Sequence, residues 1–320
     1  MNLQDKVYSM FILGTSGDGY RQALTHPLGG LIFFTHDIES KNQFKNLIDE
    51  IKSEATYPLF LSIDQEGGRV ERTEKIYNGK KYLSAKFAYQ KGLEFLEKQT
   101  TEIAKELKTF GINLNFAPCI DVNTNPKNPI IGERAFSDKP EEVIEAGNLV
   151  SEVYRRNGII PCQKHFPGHG DANSDSHSSL PLINLPLEEM EKTHIAPFKS
   201  AVENNAEMIM IAHLHCTCFE KKSIPTSLSK HAISYLRNDL GYSGVTISDD
   251  MIMQGVSAFG EIEACVMGIK AGVNMFIYRN STPETISIIE QIGKLAEKDN
   301  ELKMNIEKSF NLILNLKNRL

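Results

Sequence analysis

The segment 159–177, IIPCQKHFPGHGDANSDSH, joins an apolar run to a dense group of polar side chains. Its first part, Ile159–His165, predicts a buried β-strand. In the polar part that follows, Gly168 and Gly170 permit sharp turns of the backbone, and Pro167 fixes its own φ. A protein core does not tolerate so many polar groups unless each has a partner. Because ordinary surface loops favour Ser, Asn and Lys over clustered His and Asp, we predict a functional loop at the end of a strand.

The same change from apolar to polar recurs along the chain and predicts eight strands. Several are nearly continuous in apolar residues, as expected of parallel strands that are covered on both faces. Helical patterns separate most of them, but no convincing helix lies between the first and the second. The pattern predicts an α/β fold, a single (β/α)8 TIM-type barrel domain over residues 1–320 with Glu301–Leu316 as a C-terminal helix. The predicted strands are Met10–Gly14, Leu28–Phe34, Pro58–Asp64, Ile112–Pro118, Ile159–His165, Glu207–Leu214, Val245–Asp249 and Asn274–Tyr278.

The composition limits the class of protein and its partners. With 41% hydrophobic residues and a net charge of −6, the chain can bury a full core and carries no basic block that would favour nucleic acid. No apolar run approaches the roughly 18 residues of a membrane span, and Met1–Lys6 lacks the features of a signal peptide. The five cysteines have no disulfide spacing, so a reduced cytoplasm is the predicted setting.

Polar clusters follow the predicted strands at their carboxyl ends, where barrels of this type place their active sites. Asp249 emerges directly from the apolar run Val245–Ile247 and could act as a nucleophile or a general base. The alternative is a helix N-cap, a role that Asp250 could fill equally well. The clusters are Asp64–Arg69 after the third strand, Asp121 and Asn123 after the fourth, the long loop after the fifth, His213 and His215 after the sixth, and Ser248–Asp250 after the seventh.

Asp175 and His177 in the long loop form a possible acid/base pair. A carboxylate bonded to one ring nitrogen orients an imidazole and raises its pKa, so the other nitrogen can donate a proton near neutral pH. The spacing is common, and the alternative is a hydrogen bond that only stabilises the loop. Four cationic side chains could hold a polar ligand, or else be solvated or ion-paired: Arg69, Arg72, Arg134 and Lys164.

A metal centre is an alternative chemistry for the clustered histidines. Barrel metallohydrolases gather His and Asp around zinc at strand ends, but the first strand here lacks the H-x-H pair expected of them. Cys216 and Cys218 could add ligands, although their spacing is irregular for a structural zinc site and favours a core or loop position. The other candidate ligands are His165, His169, Asp171, His213 and His215.

Four motifs taken together resemble glycoside hydrolase family 3. The resemblance covers roughly residues 58–255 and is closest to the single-domain β-N-acetylglucosaminidases of bacterial peptidoglycan recycling. The long motif after the fifth strand is highly specific, whereas each of the others is moderately so. The motifs are Asp64-Gln65-Glu66-Gly67-Gly68-Arg69-Val70, Gly132-Glu133-Arg134-Ala135-Phe136, Lys164–Asp171 with Asp175-Ser176-His177, and Ser248-Asp249-Asp250-Met251.

The resemblance implies a role for each matching residue. Asp249 matches the catalytic nucleophile, and His177, oriented by Asp175, matches the acid/base of the N-acetylglucosaminidase branch. Two-domain members of the family take a glutamate acid/base from a second domain, whereas this chain ends after the barrel, which agrees with the histidine variant. The positions that bind the terminal sugar are matched by Asp64, Arg72, Arg134, Lys164 and His165.

The implied reaction removes β-linked N-acetylglucosamine from a non-reducing end with retention, through a covalent intermediate on Asp249. Muropeptides containing anhydro-N-acetylmuramic acid are the implied substrates, and no metal, organic cofactor or oligomeric partner is required. Two departures stand out: Ala172 occupies a threonine position, and Asn78–Tyr82 is unusually basic, which leaves the aglycone preference open. The alternatives are phosphorolysis within the same family and, in other classes, a zinc-dependent barrel hydrolase or a non-catalytic sugar-binding barrel.

Overall fold

Eight parallel strands close into a barrel in the computed structural model, which describes residues 1–172 and 180–320. The last strand of the barrel pairs with the first, since Phe11 lies opposite Phe276. The (β/α)8 barrel and the eight predicted strands are thereby confirmed. The strands of the described chain are β1 (Phe11–Ser16), β2 (Gly30–Phe33), β3 (Phe60–Ile63), β4 (Leu114–Asn115), β5 (Ile160–Phe166), β6 (Leu182–Ile183), β7 (Met208–Ile211), β8 (His215–Cys216), β9 (Val245–Asp250) and β10 (Met275–Asn280), with β6 and β8 forming a separate parallel pair.

Helices surround the barrel and connect its strands. Within residues 1–172 and 180–320, none of them has the length and hydropathy that crossing a membrane requires. The helices are α1 (Leu3–Tyr8), α2 (Gly19–Ala23), α3 (Lys41–Glu54), α4 (Ala85–Gln90), α5 (Leu93–Phe110), α6 (Pro140–Arg156), α7 (Leu187–Lys192), α8 (Ala196–Glu203), α9 (Lys230–Ser234), α10 (Gln254–Ser257), α11 (Glu261–Ala271), α12 (Pro283–Ala296) and α13 (Asn300–Lys317).

Two connections differ from the sequence prediction. The first and second strands are joined through the helix α2, so the expectation of no helix there is wrong; five residues are too few to show a helical period. The sequence pattern of Leu228–Leu240 predicts a short helix, but the region does not form one continuous α-helix. It begins with a 3-10 turn at Thr226–Leu228, continues as α9, and ends in a π-helical turn at Tyr235–Asp239.

Burial on both faces explains why the strands are so apolar. Every residue of β2, β3 and β7 is buried, because one face points into the barrel and the other packs against helices. The helix α5 buries Leu96, Ile103 and Leu107 on one face and ends at Gly111, whose φ of +89° suits glycine. The continuous apolar runs therefore account for the strands of the barrel wall, and the helical spacing of apolar residues accounts for a helix such as α5 in the layer around it.

The C-terminal helix α13 ties together the amino-terminal end of the barrel. Lys317 Nζ donates hydrogen bonds to the carbonyl oxygens of Leu28 at 2.5 Å and Pro58 at 2.8 Å, and these two residues precede β2 and β3. Burial lowers the pKa of Lys317 to about 7. This contact lies at the end of the barrel opposite the polar clusters, which follow the carboxyl ends of the strands.

Candidate active site

A cavity of about 360 Å³ opens at the carboxyl-terminal end of the barrel. A larger cavity of about 810 Å³ lies at the opposite end, around Lys52, Asn113 and Arg319, and contains none of the predicted site residues. We therefore place the chemistry in the smaller cavity. Six predicted site residues line it: Asp64, Arg72, Arg134, Lys164, His165 and Asp249.

Asp249 lines this cavity near the end of β9. Its Oδ1 accepts a hydrogen bond from the N–H of Asp250 at 2.8 Å. Burial raises the pKa of Asp249, but the imidazoles of His165 and His213, the N–H of Asp250 and the ammonium of Lys164 lower it by more, so it lies below its ordinary value. The carboxylate is therefore ionised at neutral pH, as nucleophilic attack requires.

Asp250, the next residue, holds the local backbone. Its Oδ1 accepts from the N–H groups of Ile252 at 3.2 Å and Arg279 at 3.3 Å, and it forms an ion pair with the Arg279 guanidinium. The following helix α10 has Met253 at its N-cap. The alternative interpretation of Asp249 as a helix cap is therefore wrong, and its carboxylate remains directed to the cavity.

A continuous network of charges forms one wall of the cavity. Lys164 Nζ lies 2.6 Å from Asp64 Oδ1 and 2.6 Å from Glu66 Oε1. Arg134 binds the same Glu66 carboxylate through two parallel contacts, from Nε to Oε2 at 2.9 Å and from Nη2 to Oε1 at 2.8 Å. Neighbouring barrel segments thus bring together residues that are as much as 100 positions apart in the sequence.

Burial and pairing act in opposite directions on the pKa values of this network. Burial raises the pKa of Glu66, but Arg134 and Lys164 lower it by more, to well below its ordinary range. Burial lowers the pKa of Lys164, whereas Asp64 and Glu66 raise it above its ordinary value. Glu66 and Lys164 therefore stay charged at neutral pH, and the wall presents oriented charged groups that can form strong hydrogen bonds to a polar ligand.

His165 lies between a carboxylate and a guanidinium. Its Nδ1 is 2.7 Å from Asp121 Oδ2, and its Nε2 is 3.3 Å from Arg134 Nη2. Asp121 is completely buried and also accepts from the N–H of His169 at 2.6 Å. The His169 ring lines the cavity, and among the described residues neither of its nitrogens has a hydrogen-bond partner.

Arg72 and Phe34 form another side of the cavity. Arg72 Nη2 lies 3.8 Å from Asp64 Oδ2, and its guanidinium lies 5.6 Å from the centre of the Phe34 ring. The N–H of Arg72 donates to Gln65 Oε1 at 2.7 Å. This hydrogen bond joins the start of the loop after β3, at Gln65, to the part of the same loop that carries Arg72. Arg69, by contrast, is exposed and donates to the carbonyl of Pro129 at 3.0 Å, so it has a local structural contact.

The predicted acid/base pair, Asp175 and His177, lies outside the described residues. Its role in the reaction therefore stays a prediction. Three further side chains belong to the site although the sequence did not identify a role for them. The sequence could have pointed to Glu66, which lies inside one of the four motifs, and to Asp121, a carboxylate that follows a predicted strand. Phe34 ends a predicted strand, but its apolar side chain gave no sign of a role in the site.

The geometry also bears on the alternative metal centre. His213 Nδ1 lies 2.7 Å from Ser227 Oγ, and His215 Nε2 lies 2.8 Å from the carbonyl oxygen of Glu220, so hydrogen bonds occupy these nitrogens. Over the part of the chain that the structure describes, one set of three candidate ligand atoms lies within 4.8 Å: Cys119, Asp121 and His165. Both Cys119 Sγ, at 3.2 Å, and His165 Nδ1 contact Asp121 Oδ2, so hydrogen bonds within the set account for its geometry.

The fold and the site together define a barrel enzyme with an ionised carboxylate in a polar cavity that suits a carbohydrate. The chain belongs to glycosyl hydrolase family 3, because the profile of the Glycosyl hydrolase family 3 N terminal domain matches residues 3–316.

Named relatives agree with this assignment. The chain is 34% identical over 272 residues to Beta-hexosaminidase A of Pseudoalteromonas piscicida, a match that covers 78% of this chain but 45% of that protein. It is 33% identical over 277 residues to Beta-hexosaminidase of Methylococcus capsulatus, covering 85% of this chain and 82% of the relative. These matches support a glycoside hydrolase of the β-hexosaminidase type.

A solved structure agrees with the fold as well. The glycoside hydrolase family 3 beta-N-acetylglucosaminidase from Paenibacillus sp. str. FPU-7 superposes with a TM-score of 0.93 at 30% identity. That match covers 100% of this chain and 62% of the Paenibacillus chain. This chain thus spans less than two thirds of the Paenibacillus enzyme, and about half of the Pseudoalteromonas one.

Proposed function

We propose that the protein is a retaining exo-β-N-acetylglucosaminidase. One observation carries the proposal: among the described carboxylates that line the cavity, Asp249 is the one without an ion pair. Asp64 contacts Lys164, and Asp250 contacts Arg279, whereas within residues 1–172 and 180–320 the only hydrogen bond to the Asp249 carboxylate comes from the N–H of Asp250. An ionised carboxylate without a direct ion pair among the described residues is available to attack an anomeric carbon.

In the proposed reaction, Asp249 attacks the anomeric carbon while His177 protonates the departing glycosidic oxygen. A covalent glycosyl-enzyme forms, and the aglycone leaves with the proton. His177 then takes a proton from water, whose oxygen attacks the same carbon and releases both the sugar and Asp249 with net retention. Asp175 orients His177 and supports its pKa; both residues are assigned by the resemblance of their motif.

The charged wall is the proposed subsite for the terminal sugar. At about 360 Å³ the cavity lies at the small end of ligand pockets, as a single terminal sugar requires. The predicted sugar-binding set of Asp64, Arg72, Arg134, Lys164 and His165 lines the cavity and supplies a carboxylate acceptor, three cationic donors and an imidazole. Hydroxyl groups both donate and accept, so such a wall can satisfy them where water would otherwise bind.

The proposed substrates are muropeptides that carry a terminal β-linked N-acetylglucosamine, including those with anhydro-N-acetylmuramic acid, in cytoplasmic cell-wall recycling. The similarity of the motifs to peptidoglycan-recycling enzymes supports this part of the proposal. Incubation with isolated muropeptides, with and without inorganic phosphate, tests it. Free N-acetylglucosamine at equal rates in both arms is expected, whereas a phosphate-dependent glycosyl phosphate would establish the phosphorolytic alternative.

Covalent labelling tests the nucleophile itself. A fluorinated N-acetylglucosamine inactivator should attach to Asp249, which peptide mass spectrometry locates directly. Asp250→Asn is a suitable comparison, because it changes the adjacent carboxyl and should still be labelled at Asp249. A label on Asp250 or Glu66 in the wild-type protein would overturn the assignment.

A further inference from the structure

Asp121 is a buried carboxylate for which the proposed reaction has no use. It follows β4, has no exposed surface, and is not part of the cavity wall. In the part of the chain that the structure describes, four groups nevertheless direct hydrogens toward it. They are the N–H of His169 at 2.6 Å, the ring Nδ1 of His165 at 2.7 Å, the thiol of Cys119 at 3.2 Å and the N–H of His165 at 3.3 Å. A carboxylate that accepts so many hydrogen bonds must act through the groups that donate to it.

The ring of His165 is the donor that reaches the cavity. An ionised carboxylate can only accept and a guanidinium can only donate, so the two neighbours of the ring assign its proton. Nδ1 faces Asp121 Oδ2 and therefore carries the hydrogen, while Nε2 faces Arg134 Nη2 and accepts. Burial raises the pKa of Asp121, but His165 and His169 lower it by more, to well below its ordinary range, so Asp121 remains an acceptor at neutral pH.

We infer that Asp121 is a positioning residue for the sugar-binding wall, because it fixes the proton of His165 on Nδ1 and thereby leaves Nε2 to hold Arg134. The inference rests on the proposed function in so far as the wall binds sugar. Arg134 Nη2 lies between Glu66 Oε1 and His165 Nε2, at 2.8 and 3.3 Å. In the other tautomer of His165 the hydrogen is on Nε2, so two N–H groups, that of His165 and that of Arg134 Nη2, would face each other. Arg134 would then turn away from the ring.

A purely structural role is the competing explanation. Asp121 also accepts from two backbone N–H groups, so it could serve only to hold the loop after β5. The two roles differ in what they predict for the ring. A structural role is compatible with either tautomer of His165. The positioning role requires hydrogen on Nδ1, and it predicts that replacing Asp121 affects activity only when His165 is present.

The wild-type protein provides the first test. In a sample labelled with ¹⁵N-histidine, the two ring nitrogens of His165 are assigned by the signals that disappear in His165→Gln. We expect a neutral ring with hydrogen on Nδ1 and a bare Nε2. Hydrogen on Nε2 in the wild type would overturn the inference, and this measurement does not depend on any Asp121 variant being folded.

Asp121→Asn is the sharpest variant, because it keeps the volume and changes one hydrogen-bonding atom. The N–H of His169 holds an oxygen at the Oδ1 position, so the new amide nitrogen lies at the Oδ2 position and donates to His165 Nδ1. The ring proton must then move to Nε2. The ¹⁵N signals of His165 should show hydrogen on Nε2 and a bare Nδ1, the reverse of the wild type. The value of kcat/KM for an aryl β-N-acetylglucosaminide should fall by about 10- to 100-fold, the effect of losing a hydrogen bond to a charged group.

A double-mutant cycle separates positioning from structure. In the His165→Gln background, Asp121→Asn should change kcat/KM by less than about two-fold, because its target is already gone. Glu207→Gln is the matched control: it removes a buried carboxylate at the other end of the barrel, held by Arg155 Nε at 2.9 Å and Arg319 Nη2 at 3.2 Å. It should alter thermal stability and leave kcat/KM unchanged.

Each outcome is decisive. Equal losses from Asp121→Asn with and without His165 would show that Asp121 holds the loop, and the positioning role would be rejected. The same conclusion follows if the His165 tautomer is unchanged in the variant. A wild-type protein that fails to cleave the aryl β-N-acetylglucosaminide would instead reject the proposed function, and the tautomer measurement on the wild type would still decide the geometry.

Discussion

Replacing Glu66 by glutamine tests the charged wall most directly. The Glu66 side chain is 5% exposed, and its carboxylate contacts Lys164 Nζ at 2.6 Å and Arg134 at 2.8 and 2.9 Å. The substitution would keep the volume but leave the Arg134 charge without its bidentate partner. Removing one partner of a buried ion pair typically costs about 3–5 kcal/mol. We expect the lower end, about 3 kcal/mol, because Lys164 keeps its contact with Asp64.

This cost can be converted into a melting temperature. The entropy of unfolding is roughly 2 cal/mol/K per residue, so for a chain of 320 residues a loss of about 3 kcal/mol lowers Tm by about 5 °C at pH 7. Differential scanning calorimetry measures this shift. The same change should lower kcat/KM, because Arg134 and Lys164 line the cavity and lose the group that orients both.

The pH dependence of the shift gives a second, independent test. The folded state holds the pKa of Glu66 well below the value of about 4.3 that the unfolded chain shows. Over acidic pH the unfolded state therefore binds more protons, and the stability that Glu66 contributes is fully present above the unfolded pKa and is lost as the pH falls below it. The difference in Tm between wild type and Glu66→Gln should be constant from pH 6 to 8 and shrink below about pH 4.

Glu71→Gln is the matched comparison, because the pKa of Glu71 is shifted in the opposite direction from that of Glu66. Glu71 is buried and accepts from the N–H groups of Lys81 at 3.0 Å and Tyr82 at 3.1 Å. Burial raises its pKa above the ordinary value despite those hydrogen bonds. Stability from Glu71 is therefore present at low pH and is lost as the pH rises through the folded pKa. Equal Tm for Glu66→Gln and wild type at pH 7, or the same pH trend for both variants, would refute the reasoning.

Three further predictions follow from the proposed chemistry. Activity should survive dialysis against EDTA, because the reaction uses a carboxylate and an imidazole; inactivation that added zinc reverses would favour the metal alternative. Aryl β-glucosides should be cleaved with kcat/KM at least about 100-fold below aryl β-N-acetylglucosaminides, since a site built to bind a polar group rejects analogues that lack it; comparable values would contradict an acetamido-specific subsite. His177→Ala should slow disaccharide cleavage by about 10²–10⁴-fold and much less the glycosylation step of a nitrophenyl glycoside, with Asp175→Ala showing a milder form; equal losses in pre-steady-state rates would remove His177 as the acid.

The barrel could be predicted from sequence because its signals are local. Each strand shows its own apolar run, and five of the eight runs are followed by a polar cluster on the side where the barrel opens. The failures have local causes as well. The helix α2 is too short to show a period, and β4 covers two residues of the predicted seven-residue run Ile112–Pro118, in which Pro118 has no N–H for a ladder.

The site was predictable in its residue types but not in its pairings. Asp64, Lys164 and Arg134 were marked by motif and by position after strands. That Glu66 joins Lys164 to Arg134 depends on the register of β3 beside β4 and of β4 beside β5, which the sequence does not state. Asp121 was visible as a carboxylate after a strand, but its function depends on the ring of His165, 44 residues away.

The partners of a carboxylate decide what it can do, and the barrel gives each of its acids different ones. Glu66 is held by two cations and can orient them but cannot attack. Asp121 accepts from backbone and ring N–H groups and can fix a tautomer. Asp250 is paired with Arg279 and holds the chain. Burial raises the pKa of Asp249, whereas nearby charges and the N–H of Asp250 lower it, and Asp249 has no direct ion pair among the described residues. Of these four acids, Asp249 alone combines ionisation with a carboxylate free of an ion pair among the described residues, which is the combination that the proposed nucleophile requires.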